Sequence, residues 1–171
     1  MNTEAKEKLG IRGGFQHSSM YNVSEQNSGR ISNPLTGFYV GAYRLHTIGL
    51  REIFTLNGGL EYMATGFRID DNSFRKLHYA SIPLFARLKL GPLFGQAGFN
   101  LNFKVKEEFT LSGVDALNTI DKAPFFDLPL QVGVGVKILI LTIEARYHYG
   151  LTDLGGDTRN AYLQLGIGVH I

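Results

Sequence analysis

Hydrophobic and polar positions alternate along most of the chain. The run FTLNGGLEYMATG at residues 54–66 shows the pattern, with Phe54, Leu56 and Leu60 on one side and Glu61 on the other. A period of two is typical of a β-strand, in which successive side chains point to opposite faces. Segments of this kind recur between turn residues and predict eight strands, over residues 9–18, 37–47, 53–66, 78–90, 94–106, 125–137, 141–152 and 161–171.

The predicted connections alternate in length. Those after the first, third, fifth and seventh strands are long and polar, such as RIDDNSFRKL at residues 68–77, and the others are short. Short turns at one end and longer loops at the other are typical of outer-membrane barrels. We therefore expect an all-β chain that forms an eight-stranded antiparallel up-and-down transmembrane β-barrel. It is predicted to be a single domain over residues 1–171, with a flexible segment at residues 1–8.

The two faces of the predicted strands differ in chemistry. One face is apolar and is predicted to include Tyr39, Tyr43 and Leu45 in the second strand. The other combines polar residues with glycine, which weakens an exposed strand but leaves room for large neighbours in a narrow interior. The apolar face is therefore expected to meet lipid and the polar face to fill the lumen. The charged members of the predicted lumen network are Arg12, Arg44, Glu61, Arg87, Lys104, Asp127, Glu144 and Arg146.

Aromatic residues on the predicted lipid face collect toward the end with the long connections. Such rings prefer the membrane interface, where the ring contacts acyl chains and a hydroxyl reaches water. The short-turn end has only Phe54 and Phe94 as candidates. The predicted interface aromatics at the other end are Tyr39, Tyr62, Phe126, Tyr147 and Tyr149.

Composition removes several classes of function. Seventeen Lys and Arg against fifteen Asp and Glu give a net charge of +2, too balanced for a nucleic-acid-binding protein. The absence of cysteine excludes disulfides, thiolate metal sites and a cysteine nucleophile. The longest apolar run, at residues 136–143, is far shorter than the ~20 residues of a membrane-spanning helix. The first ten residues lack the hydrophobic stretch of a signal peptide, so we expect a cytosolic protein or a mature chain.

Nearly the whole chain carries the features of one known family. They are GIRGGF at residues 10–15, GFYVGAY at 37–43, TLNGGLEYMATG at 55–66, YASIPLFARLKLG at 79–91, FGQAGFNLNF at 94–103, LPLQVGVGVK at 128–137, LTIEARYHYGLTDL at 141–154 and YLQLGIGVHI at 162–171. With these segments the chain resembles the small outer-membrane β-barrel family, the porin-family or outer membrane beta-barrel domain proteins. The resemblance implies a location in the outer membrane of a Gram-negative bacterium and contact with its lipid.

The candidate catalytic and metal-binding groups have structural explanations. An eight-stranded barrel is only wide enough for its own side chains, so the charged lumen residues are interpreted as an ion-pair network and none is predicted to be catalytic. The five histidines include no HExxH motif and no pair at ligand spacing on one strand, so neither a metal nor a cofactor is expected. The acidic segments at residues 69–72 and 153–158 lack the spacing of an EF-hand calcium loop.

The favoured interpretation is a non-enzymatic, monomeric outer-membrane barrel with a plugged polar lumen. Its long extracellular loops are expected to serve structural or binding roles, such as contact with an extracellular ligand or protein. One alternative is a soluble lipocalin-like barrel that binds a ligand and has its apolar face inside. A second alternative is a lipid-modifying outer-membrane enzyme, for which His17 with Ser18 and His78 with Ser81 are the candidate pairs.

Overall fold

Ten β-strand segments account for nearly all of the described chain. The computed structural model describes residues 7–22, 29–30, 33–48, 53–70, 73–110, 125–152 and 158–171. The segments are β1 (Glu7–Asn22), β2 (Gly29–Arg30), β3 (Asn33–Ile48), β4 (Phe54–Asp70), β5 (Ser73–Leu90), β6 (Leu93–Thr110), β7 (Phe126–Asp127), β8 (Pro129–Ile138), β9 (Leu141–Gly150) and β10 (Thr158–His170). No helix in those ranges is long and apolar enough to cross a membrane.

The long strands form one closed antiparallel barrel. Their order is β10-β9-β8-β6-β5-β4-β3-β1, and β10 pairs with β1 to close the sheet. The short segment β7 continues the line of β8 along β6, and β2 pairs with the end of β1, so the wall has eight strands. This confirms the predicted eight-stranded antiparallel barrel. Closure leaves no sheet edge with unpaired amide and carbonyl groups, which the hydrocarbon core of a bilayer cannot satisfy.

The short connections gather at one end of the barrel. Gly91 and Pro92 join β5 to β6, and Leu139 and Ile140 join β8 to β9. Gly91 and Leu139 have φ angles of 67° and 55°, the left-handed conformation that such tight turns need. This end is called the short-turn end below.

At the opposite end several strands are longer than a membrane requires. The five strands β1 and β3 to β6 contain 16 to 18 residues, whereas β8 and β9 contain 10 each. A tilted strand needs ~9–11 residues to cross the hydrocarbon layer. Because β8 and β9 leave the same short-turn end, the longer strands extend past them on the other side.

The predicted polar connection at residues 68–77 is wrong in extent. Strand β4 continues to Asp70 and β5 begins at Ser73, so only residues 71–72 lie between them. The polar residues predicted to form this loop belong instead to paired strands. Backbone hydrogen bonds between two strands can continue in water, where no apolar face is needed. At the start of the chain, β1 begins at Glu7, so residues 7 and 8 of the predicted flexible segment are paired strand, and residues 1–6 lie outside the described residues.

The barrel is apolar outside and polar inside. Large side chains such as Phe15, Leu60 and Val134 are 65–72% exposed on the outer surface, whereas Glu61 and Arg146 are at most 3% exposed in the lumen. A soluble ligand-carrying barrel has the reverse arrangement, with an apolar interior and a hydrated exterior. The structure therefore supports the predicted lipid-facing orientation over the lipocalin-like alternative.

The predicted orientation of β3 is wrong. Tyr39, Tyr43 and Leu45 are each 2% exposed inside the lumen, and Arg44 faces outward near the short-turn end. Arg44 is therefore not a lumen residue and Tyr39 is not an interface aromatic. The other face of this strand carries Phe38, Val40 and Ala42, so both faces are apolar and alternation does not distinguish them. A shift of one residue reverses every side chain of a strand.

Substitutions in β8 can test whether the apolar face of the barrel contacts lipid. Replacing the outward Val132 or Val134 by Arg places a charge on the lipid face near the middle of β8. We expect each change to lower the free energy of unfolding in lipid vesicles by about 2–4 kcal/mol, as for cations at the bilayer midplane. The measurement is reversible urea unfolding followed by the gel mobility of the folded barrel.

Leu139→Arg is the matched control, because Leu139 is 88% exposed in the turn beside the same strand. Its cost should be about 0–1 kcal/mol, since the membrane penalty falls toward the interface. Equal penalties at residues 132 and 139 would contradict the assigned lipid face.

Candidate functional site in the barrel lumen

Five charged side chains meet in the middle of the lumen. They come from four strands: Arg12 from β1, Glu61 from β4, Arg87 from β5, and Glu144 and Arg146 from β9. All five are at most 3% exposed. We call them the central ion cluster. Alternation places each one on the inner face, because the residues on either side of it in the strand are apolar or small and face outward.

Each carboxylate of the central ion cluster contacts more than one arginine. Glu61 Oε1 accepts hydrogen bonds from Arg12 Nε and, at 3.0 Å, from Arg146 Nη1. Glu144 Oε2 accepts from Arg87 Nη2 at 3.2 Å, and its Oε1 lies 3.3 Å from Arg146 Nε and 3.5 Å from Arg12 Nη1. A buried charge is tolerated only when paired, and sharing each carboxylate between arginines meets that requirement.

Aromatic rings supplement the two carboxylates, because three guanidinium groups outnumber them by one. The Arg87 guanidinium lies 3.9 Å from the ring centroid of Phe94, and Arg146 lies 4.8 Å from that of Tyr39. Arg12 lies 4.8 Å from the ring centroid of Tyr43. The negative face of an aromatic ring attracts a cation, most strongly where water is excluded. The rings of β3 and β6 are therefore part of the electrostatic balance of the lumen.

Glycines in the wall make room for these large side chains. A Cβ added at Gly166 would collide with the Tyr39 hydroxyl, and one at Gly135 would collide with the Phe94 ring. These residues explain why the inner face combines glycine with the largest side chains: an eight-stranded barrel has no spare interior volume. Glycines on the inner face therefore indicate in the sequence that large rings point inward. They do not identify the ring, because the partner of each glycine is on a different strand.

A second polar layer lies between the central ion cluster and the end with the longer strands. His148 Nε2 donates to Gln164 Oε1 at 2.9 Å, and Gln164 Nε2 donates to Gln16 Oε1 at 2.7 Å. The His148 ring stacks on Tyr162 with centroids 4.3 Å apart. Tyr162 also belongs to an apolar cluster inside the lumen with Tyr39, Met63, Leu77 and Tyr79. The described side chains of the lumen thus lie in successive layers.

The remaining predicted lumen residues lie outside the central ion cluster. Asp127 is 1% exposed and sits in β7 opposite Asn102. Lys104 is part-buried, is opposite the inward Tyr79, and its Nζ is 2.6 Å from Glu107 Oε2. Both lie toward the end with the longer strands. Arg44 is outside the barrel.

The predicted interface aromatics divide into two groups. Tyr62, Phe126 and Tyr147 are 38–43% exposed on the outer surface, and Tyr149 is partly exposed. Tyr39 is inside, as described for β3. Phe94, predicted for the short-turn end, is also inside, at 4% exposure, because its ring fills the space beside Gly135 and Arg87.

The two candidate pairs for a lipid-modifying enzyme do not form a catalytic arrangement. His17 faces outward and its Nδ1 lies 3.3 Å from Thr36 Oγ1, whereas Ser18 faces inward. His78 Nδ1 lies 2.7 Å from the Tyr62 hydroxyl, and Ser81 Oγ accepts a hydrogen bond from Asn100 Nδ2. Neither histidine contacts the serine predicted to be its partner.

A closed eight-stranded sheet with an apolar outer surface and a polar interior defines a small transmembrane β-barrel. The family model for the outer membrane protein beta-barrel domain matches residues 6–155. That match covers most of the chain, so the chain belongs to this family. It is a bacterial outer-membrane protein, which confirms the predicted location. No protein of curated function matches the sequence significantly.

Solved outer-membrane proteins share the architecture. Ail of Yersinia pestis, solved in complex with the heparin analogue sucrose octasulfate, is 14% identical with a TM-score of 0.55, over 97% of this chain and 99% of Ail. Neisserial surface protein A is 15% identical with a TM-score of 0.57, over 94% and 96% of the two chains. OprG of Pseudomonas aeruginosa is 11% identical with a TM-score of 0.51, over 98% and 97%. At these identities the likeness concerns the fold alone.

The geometry of the central ion cluster generates a stability prediction. Glu61→Gln keeps the shape of the side chain but removes the charge shared by Arg12 and Arg146. We expect the free energy of unfolding in lipid vesicles to fall by about 3–5 kcal/mol, because two buried cations lose a counter-charge. Glu108→Gln, in an exposed pair with Lys106, is the control and should have no measurable effect. Equal effects of the two changes would show that the cluster is not electrostatically coupled.

Proposed function

We propose that this outer-membrane barrel is non-enzymatic, that its lumen is closed to solutes, and that its outer connections carry its binding function. The observation that carries the proposal is the central ion cluster, which joins β1, β4, β5 and β9 across the middle of the lumen. A solute crossing the barrel would have to separate these buried ion pairs. An interior that eight strands enclose is only wide enough for its own side chains.

The layers on both sides of the central ion cluster support closure. Toward the end with the longer strands, the chain of His148, Gln164 and Gln16 and the apolar cluster around Tyr162 occupy the lumen. Toward the short-turn end, Tyr43 and His170 pack edge to face with ring centroids 5.5 Å apart. Side chains from opposite walls thus meet in the central ion cluster and in the apolar cluster around Tyr162.

The outward aromatics support the same placement in the membrane. We propose that Tyr62, Phe126, Tyr147 and Tyr149 lie at the outer interface, where an amphipathic ring is most stable. Tyr62 directs its hydroxyl to His78 rather than into the apolar band. The barrel is proposed to be a monomer, because its wall closes on itself.

Binding is proposed to reside in the connections at the end with the longer strands. Residues 23–28, 31–32, 71–72, 111–124 and 153–157 lie outside the described residues, so the proposal rests on their chemistry. Together with β2 they contain six carboxylates and two cations. Their acidity favours a neutral or cationic partner, in contrast to the sulfated ligand with which Ail was solved.

The proposed closure is tested by planar-bilayer recording of the refolded protein. The unmodified barrel should show no stable large conductance. The double variant Arg87→Ser/Glu144→Ser removes one cation and one carboxylate together, which keeps the charge balance while opening the cluster. It should conduct small ions measurably if these side chains are the plug. A stable, large conductance of the unmodified protein would refute the proposed closure.

A further inference from the structure

A long groove crosses the outer surface of the barrel and belongs to none of the features described above. It runs from Leu93 at the start of β6, over β8, β9 and β10, to Gly13 and Phe15 in β1. Its volume is about 810 Å³. That is roughly five times the ~150 Å³ of a protein cavity that holds one benzene molecule, so the groove has room for a long apolar chain.

Strand pairing explains the shape of the groove. Ala145 of β9 lies directly between Leu165 of β10 and Val134 of β8. Both of these larger side chains stand exposed on the outer surface, whereas Ala145 carries only a methyl group. In β1, Gly13 has no side chain and lies two residues before the exposed Phe15. Large side chains therefore form the walls of the groove, and small residues keep its floor low.

The side chains that face the groove are apolar. Glu144 belongs to the floor through its backbone, since its carboxylate points into the lumen and joins the central ion cluster. Lining atoms that have no neighbours lose their dispersion contacts, so an apolar groove is stabilised by whatever fills it. The outer face of this outer-membrane barrel contacts lipid, and acyl chains are therefore the groups that reach the groove.

The position of the groove selects one leaflet of the membrane. In the ten-residue strand β9, Ile143 and Ala145 are the third and fifth residues from the short-turn end. In β8, also ten residues long, Val136 and Val134 are the third and fifth from the same end. The groove therefore lies in the half of the wall next to the short turns, which face the periplasm in outer-membrane barrels.

The length of the groove is close to that of one acyl chain. Four strand spacings of ~4.8 Å separate Leu93 from Gly13 along a row of paired residues, which gives about 19 Å. An acyl chain spans half of the ~30 Å hydrocarbon layer, about 15 Å. Leu93 is the first residue of β6 and Gly13 the seventh of β1, so the row rises from the short turns toward the middle of the bilayer.

We propose that this groove binds one acyl chain of a phospholipid in the periplasmic leaflet. The headgroup lies at the short-turn end beside Leu93, and the end of the chain lies against Leu165 and Phe15. Inside a bilayer the hydrophobic effect favours no apolar surface over another, so packing contacts decide which surfaces associate. A chain in the groove contacts the walls as well as the floor, which a flat lipid-facing surface does not allow. The site is independent of the outer connections and of closure of the lumen.

Tryptophan reporters test the site, because the sequence contains no tryptophan. The Leu165→Trp variant is refolded in a zwitterionic detergent and titrated with phosphatidylcholine whose acyl chains carry bromine, a quencher of nearby indole fluorescence. Leu56→Trp is the matched reference, because Leu56 is exposed on the outer surface of β4 and does not line the groove. We expect half-maximal quenching of the Leu165→Trp reporter at a lipid fraction about threefold or more lower, since packing contacts retain the chain.

Filling the groove should remove this difference. Ala145→Leu, made in the Leu165→Trp protein, places a larger side chain on the floor directly beside the reporter. It should raise the half-quenching lipid fraction to that of the reference. Ala86→Leu in the Leu56→Trp protein is the control, because Ala86 pairs directly with Leu56 and is the fifth residue from the short-turn end of β5, as Ala145 is in β9. It should leave quenching of the reference unchanged.

The direction of the chain is tested with a second reporter in the groove, Leu93→Trp, beside the short turn. Lipid brominated close to the headgroup should quench the Leu93→Trp reporter more strongly than the Leu165→Trp reporter. Lipid brominated close to the chain end should give the opposite order. If both lipids quench in the reversed sense, the headgroup is not at the short-turn end and the assignment to the periplasmic leaflet is wrong.

The proposal is overturned if the Leu165→Trp and Leu56→Trp reporters are quenched at the same lipid fraction, or if Ala145→Leu leaves quenching unchanged. A dimer in analytical ultracentrifugation that Ala145→Leu dissociates would also overturn it, because a second copy of the chain would then cover the groove. If Leu165→Trp does not refold, Ile167→Trp replaces it, since Ile167 is exposed in the same strand and lines the same groove.

Discussion

Closure of β10 onto β1 is the constraint on which the rest of this structure depends. A bilayer offers no hydrogen-bond partners, so a sheet that crosses it must pair every strand on both sides. Eight strands satisfy this condition with an interior that is just filled by side chains. The apolar outer face, the crowded lumen and the need to pair each buried charge all follow from a closed wall of that size. Turn residues such as Leu139 then only need to reverse the direction of the chain so that neighbouring strands stay paired in the closed wall.

The narrow lumen limits which side chains can lie inside the barrel and how their charges are paired. Because the five charges of the central ion cluster are almost fully buried, their stability depends on one another and on nearby rings. Such buried pairs contribute little net stability relative to an apolar core, but removing one partner is costly. The wall responds by placing glycine where a ring or guanidinium group needs space, as at Gly166 beside Tyr39. Residues that are far apart in the sequence therefore provide both the space and the charge partners that the buried side chains need.

Charge is unevenly placed along the barrel, although the chain is nearly neutral. The connections at the end with the longer strands are acidic, whereas Lys89 and Lys137 make the short-turn mouth basic. Net charge alone conceals this separation. A barrel fixes which end each side chain occupies, so the placement of these charges follows from strand order and register.

The amino-acid sequence by itself determined the strand count, the closed barrel and the orientation of most strands. In β9, for example, Glu144 and Arg146 alternate with Ile143 and Tyr147, so only one face is acceptable to lipid. The tertiary structure decided what alternation left open. Both faces of β3 are apolar, and Tyr39 faces inward because Gly166 and Arg146, from other strands, provide its space and its charge partner. The alternation of residues within a strand shows which side chains share a face. The space and the charge partners available inside the barrel depend instead on contacts between strands, and the sequence of a single strand does not contain them.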